Sequence, residues 1–155
     1  TLHAALAASV LQRPDLITTW LEEAAQLAER VPDDLRGNWQ YFSATNVAIW
    51  RLVISVERGE TGNTMNLANA VRPENLTVRS RKADFLTETG RGLARQSRTR
   101  AEAVRWLRKA EDTAPQRVRN SAAVRETVAY LLNRATAAAG GPELRGMASR
   151  MGVPH

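Results

Sequence analysis

The chain has no cysteine, and its two histidines stand at positions 3 and 155. Without a thiol there is no cysteine nucleophile, redox pair or cysteine-ligated metal. With histidine confined to the ends, a histidine-based catalytic triad is not expected either. Carboxylate pairs such as Glu22-Glu23 and Asp33-Asp34 are adjacent in sequence, hence splayed or exposed. Gly90-x-Gly92 falls inside a helical stretch, which is not the context of a phosphate loop or dinucleotide fingerprint. Gly140-Gly141 lacks the Lys-Ser/Thr of a P-loop. The expectation is a protein that is not an enzyme, with no cofactor and no metal. Long apolar runs are missing too: charges interrupt every candidate well short of the ~18 residues of a membrane span. No signal-peptide pattern opens the chain, so a cytoplasmic protein that avoids membranes is expected. Aromatics are scarce, at 5% of residues. Because the chain starts at Thr1 and is helical from there, it reads as a piece of a longer protein.

What is present is Ala, Leu and Arg in helical spacing. β-branched residues rarely alternate, so the chain reads as all-α, and 155 residues fit one domain spanning 1–155. Eight helical stretches are expected: 2–11, 15–31, 39–58, 61–71, 77–96, 99–113, 121–138 and 142–151. A loop at 33–38 bends at Gly37. Pro14 suits a helix start, and Gly59 suits a C-cap. On the second stretch Leu16, Trp20, Ala24, Leu27 and Val31 form the expected apolar stripe.

Two of these units repeat. Thr45 to Pro73 and Ala83 to Pro115 each hold a helix, a short break, a second helix with small residues, and a proline. The prolines lie 42 positions apart. Ala103, Leu107 and Ala110 precede Pro115 by 12, 8 and 5 residues, the second-helix spacing of a tetratricopeptide repeat. The repeats are degenerate: Ala68 matches Ala110, but position 61 is Thr, and neither first helix carries the full Trp, Gly and Tyr pattern. An ordinary helical bundle is the other reading of the same spacing.

Charge is uneven. Residues 1–60 carry 5 basic and 8 acidic side chains, residues 79–119 carry 12 and 5, and 20 of the 22 cations are Arg. The 79–119 segment reads either as a solvated face or as a patch for an acidic partner or phosphate. Direct nucleic-acid binding through Arg79 to Arg119 is a weaker reading.

In a tetratricopeptide array the first helix of each pair lines the concave face. Asn46, Trp50, Val53 and Glu57 share one helical face, and Arg81, Asp84, Glu88, Arg91 and Arg95 form a charged stripe. The candidate groove is therefore Asn46, Trp50, Glu57, Arg81, Asp84, Glu88 and Arg91. The Asn46 amide offers a donor and an acceptor, as a peptide unit requires; the alternative is a cap or a cross-link between helices. Trp39, Tyr41, Phe42 and Trp50 wall a pocket or anchor a core, and Trp106 reads as packing, or as a dimer contact if it is exposed.

Several motifs then line up in order: WLEEAAQLAER (Trp20 to Arg30), Phe42-x-x-Thr45-Asn46-Val47, Glu57-x-Gly59, AEDTAPQRVR (Ala110 to Arg119), VRETVAYLL (Val124 to Leu132) and LRGMASRMGV (Leu144 to Val153). In this order the chain resembles the C-terminal halves of actinobacterial helix-turn-helix transcriptional regulators of the Cro/repressor (XRE) class. It departs from their pattern at Ser43-Ala44, where Gly-Pro is frequent, and at Trp50, where His is expected. The resemblance implies a regulatory module that binds a peptide or small-molecule effector or pairs with itself. It also implies that DNA is met only through an N-terminal domain absent from this chain. A structural oligomerisation scaffold without effector is the competing class. A homodimer is expected through Leu2, Leu6 and Val10, an apolar edge with no cap before it.

Overall fold

The computed structural model describes residues 2–11, 13–31, 42–134 and 141–154, apart from the side chains of Leu6, Ser9 and Val10. These residues form an all-helical array with no strand among them. They divide into two compact units, residues 1–76 and 77–155.

The first unit holds α1 (Leu2–Val10), α2 (Pro14–Ala28), α3 (Ala44–Glu57) and α4 (Thr64–Asn69). Pro14 is the first residue of α2, where its missing N–H costs nothing. Ser43 starts α3: its backbone is extended and its Oγ accepts the Asn46 N–H at 3.2 Å, a side-chain cap worth about 1 kcal/mol. This gives the Ser43 departure noted above a local role. At the far end Gly59 takes φ +74°. Its N–H donates to Val56 O, and the Glu60 N–H donates to Ser55 O, the paired closure that needs a left-handed residue.

The core of this unit joins Leu2, Ala5 and Ala8 of α1 with Ile17, Leu21, Ala24 and Ala28 of α2 and Val47 and Ile54 of α3. The buried face of α2 thus sits one position beyond the expected stripe. Leu16 and Trp20 flank the core, and Leu27 is 41% exposed. The reason is that α2 packs on α1 and α3 together, so its buried line falls between two apolar rows. Leu2 lies in the core of this unit. The side chains of Leu6 and Val10 lie outside the described residues, as do the 33–38 loop, Trp39 and Tyr41.

The second unit holds α5 (Arg79–Ala94), α6 (Arg100–Thr113), α7 (Pro115–Arg119), α8 (Ala122–Arg134) and α9 (Gly141–Met151). Here α5 and α6 pack most closely. Ala103, Leu107 and Ala110 are fully buried. Gly90 explains itself at this contact: a Cβ there would stand 2.7 Å from Leu107 Cγ, so only glycine lets the helices meet. Phe85 is buried edge-on against Trp106, with ring centres 5.8 Å apart. Pro115 does end α6, but it also opens α7, a short helix absent from the eight expected.

Candidate functional site

An open groove of about 510 Å³ lies in the first unit. Pro14, Ile17, Thr18, Leu21 and Glu22 of α2 form one wall, and Arg51, Ile54, Ser55 and Arg58 at the C-terminal half of α3 form the other. Glu60, Asn63 and Leu67 close one end. Each wall repeats at helical spacing, so one face per helix supplies it. Ile17, Leu21, Ile54 and Leu67 make the apolar part.

The polar rim is partly held in place. Arg58 Nε donates to Glu60 Oε1 at 2.7 Å, and Ser55 Oγ donates to Glu60 O at 2.7 Å. Asn63 Oδ1 accepts from Asn66 at 2.6 Å, and Thr18 Oγ1 donates back to Pro14 O. Glu22 and Arg51 make no ion pair among the described residues. The groove therefore offers an apolar strip between one open carboxylate and one open guanidinium.

The residues nominated from sequence are elsewhere. Asn46 is only 5% exposed and lies inside the first turn of α3 beside Ser43. Trp50 is half-buried against the core and meets His3 edge-on at 5.6 Å. Glu57 is exposed. None of the three lines the groove; the wall of α3 is the row one position over. Arg81, Asp84, Glu88 and Arg91 belong to the second unit. There Asp84 accepts two bonds from Arg117 of α7, at 2.7 and 3.0 Å. Glu88 and Arg91 pair at 2.7 Å, both largely buried. Arg81 is half-buried, and that burial lowers its pKa, with Asp84 acting against it and Arg117 adding to it. The stripe is thus largely spent within the unit.

Sequence reasoning missed a stronger polar centre. Glu111 of α6 is 0% exposed. Its carboxylate accepts from Arg108 at 2.8 Å, from Arg119 at 2.8 Å and doubly from Arg150 at 2.8 Å. Arg150 above all, with Arg119 and Arg108, holds its pKa down to about 2, although burial alone would raise it. Arg108 also meets Asp112 at 3.0 Å and Glu143 at 3.9 Å. This centre ties α6, α7 and α9 together; its acceptors are all engaged, so it reads as a structural lock. A partial signal was present: a Glu that follows Ala110 on the buried side of α6, next to Leu107, must be paired.

Among the described residues no group of three or more His, Asp or Glu could hold a metal ion, and no helix is long and apolar enough to cross a membrane. Comparison of the chain with protein-family models, with curated proteins and with solved structures finds no match.

Proposed function

We propose that this chain is the effector-sensing module of a bacterial transcriptional regulator and that it binds a peptide or small molecule in the α2–α3 groove. The observation that carries the binding role is the groove itself. Its volume falls within the roughly 300–1,000 Å³ of ligand sites, and it combines an apolar strip with a few placed polar groups. Open charges of opposite sign, Glu22 and Arg51, suit a ligand with both signs, such as a short peptide. The link to transcription rests on the resemblance carried by the ordered motifs, and the tetratricopeptide character on the α5–α6 spacing. An effector that orders the groove would act on a tethered DNA-binding domain through the free-energy difference between bound and free states.

The competing reading, a self-associating scaffold in the cytoplasm, draws on Leu11 at 72% and Leu27 at 41% exposure, two large apolar side chains open on one unit. A titration separates the two. Amide NMR spectra of the chain are followed with a library of short peptides. Binding should move the signals of Thr18, Leu21, Ser55 and Leu67. Thr18 is exposed, so Thr18→Trp should fill the groove and weaken binding by roughly tenfold (~1.4 kcal/mol) without lowering the melting temperature. Binding indifferent to Thr18→Trp would end the groove reading. Shifts that depend on protein concentration alone would favour the scaffold.

A further inference from the structure

Three arginines of the second unit converge on one phenol ring. Arg95 follows α5, Arg100 opens α6 and Arg134 closes α8. Their guanidinium carbons lie 5.0, 5.9 and 4.1 Å from the centre of the Tyr130 ring. None of the three pairs with a carboxylate among the described residues. Arg100 Nε is buried and has no hydrogen-bond partner among them. A ring quadrupole attracts a cation but does not cancel its charge. Three cations gathered around one neutral ring therefore repel one another, and the ring does not offset that repulsion.

The backbone relieves this only in part. Arg95 and Arg134 stand at helix C-termini, whose partial negative charge favours cations, but Arg100 stands at the positive end of the 14-residue α6. Thr99 before it spends its hydroxyl on the Leu93 and Gln96 carbonyls and caps no N–H of α6. A cation at an uncapped helix N-terminus beside two more cations is a poor arrangement for stability and a good one for an anion.

We propose that Arg95, Arg100 and Arg134, gathered on Tyr130, form a binding site for a phosphate dianion, free or as a small-molecule monoester. The charge count favours a dianion over a carboxylate. Around Glu111 the same unit matches three arginines with three carboxylates, Glu111, Asp112 and Glu143. A monoanion at Tyr130 would leave two positive charges unmet. Phosphate brings two charges and acceptor oxygens suited to guanidinium forks. This site is independent of the α2–α3 groove and stands or falls without it.

The test is NMR of the arginine Nε–H groups in the full chain at pH 7.5 and constant ionic strength. Sodium phosphate, glycerol phosphate and sodium acetate are the probes. Phosphate should give saturable shifts at Arg95, Arg100 and Arg134, with a Kd in the ~1 mM range and acetate roughly tenfold weaker. Arg134→Gln, an exposed position at a helix end, should weaken phosphate by roughly tenfold, and Arg105→Gln, exposed elsewhere on α6, should leave it unchanged. If Arg134→Gln lowers the melting temperature, Arg95→Gln, also exposed, replaces it. Tighter binding of glycerol phosphate identifies a monoester as the ligand, and equal binding identifies inorganic phosphate. Shifts that never saturate, equal response to acetate, or unchanged affinity in both arginine variants would overturn the proposal. So would a response to duplex DNA alone, which would assign the arginines to phosphodiester attraction.

Discussion

Two arginine triads in the second unit differ in what they surround. Arg108, Arg119 and Arg150 close on the Glu111 carboxylate, whereas Arg95, Arg100 and Arg134 close on the Tyr130 ring. In the first triad each guanidinium has a carboxylate, and the carboxylate is out of water. Removing an arginine leaves the buried Glu111 carboxylate short of a partner in a place that cannot hydrate it. In the second, the centre is neutral, and the charge is left to be met from outside. The same residue type thus serves cohesion in one place and recognition in the other; the group at the centre decides which.

Breaking the first triad should have the largest effect. Glu111→Gln removes the charge that three arginines share and keeps the size of the side chain. A loss of up to roughly 3 kcal/mol is expected, because the buried carboxylate's charged hydrogen bonds weaken while the arginines left behind are about one-third exposed and hydrate in part, and urea unfolding of the second unit would report it. Acid should act on the same group. The folded pKa of Glu111, about 2, lies below its ordinary 4.5, so its contribution is complete above the ordinary value. It is lost as pH falls from about 4.5 through 2, up to roughly 3 kcal/mol. Urea midpoints between pH 5 and 2 should therefore fall more steeply for the natural chain than for Glu111→Gln. Parallel curves would show that Glu111 titrates normally.

The comparison extends to the first unit, where Asn46 and the groove residues play the same two parts. Asn46 is buried beside the Ser43 cap, so Asn46→Ala should cost about 1–3 kcal/mol in thermal unfolding and leave peptide binding at the α2–α3 groove unchanged. Weakened binding with an unchanged melting temperature would return Asn46 to the site.

Most of the helices were legible because apolar residues recur at helical spacing and because Pro14 and Gly59 punctuate them. Finer placement was not. The row Leu16-Trp20-Leu27 reads as the core face, but the row one position on, Ile17-Leu21-Ala28, is apolar too, and only the packing of α2 on both α1 and α3 selects it. α7 escaped because Pro115 read only as a stop, although proline also suits a first helical position. The Glu111 centre escaped because Arg119 and Arg150 lie 8 and 39 residues away, distances that leave no pattern in a chain. Arg95 was read within a stripe in which Asp84, Glu88 and Arg91 all have ion-pair partners inside the unit. Its association with Tyr130, far along the chain on α8, is purely tertiary. The groove lay one row from the face chosen on α3, a shift of 100° that spacing alone does not resolve.

The contrast between the triads is tested most directly by making one substitution in each. Arg150→Gln and Arg134→Gln each remove one exposed positive charge at the end of a helix, and urea unfolding in chloride buffer without phosphate measures both. Arg150→Gln takes two charged hydrogen bonds from Glu111 and should cost about 1.5–3 kcal/mol. Arg134→Gln takes one ring contact and relieves repulsion between cations, and should change stability by less than about 0.5 kcal/mol. Equal losses for the two variants would contradict the division between a structural and a recognising triad.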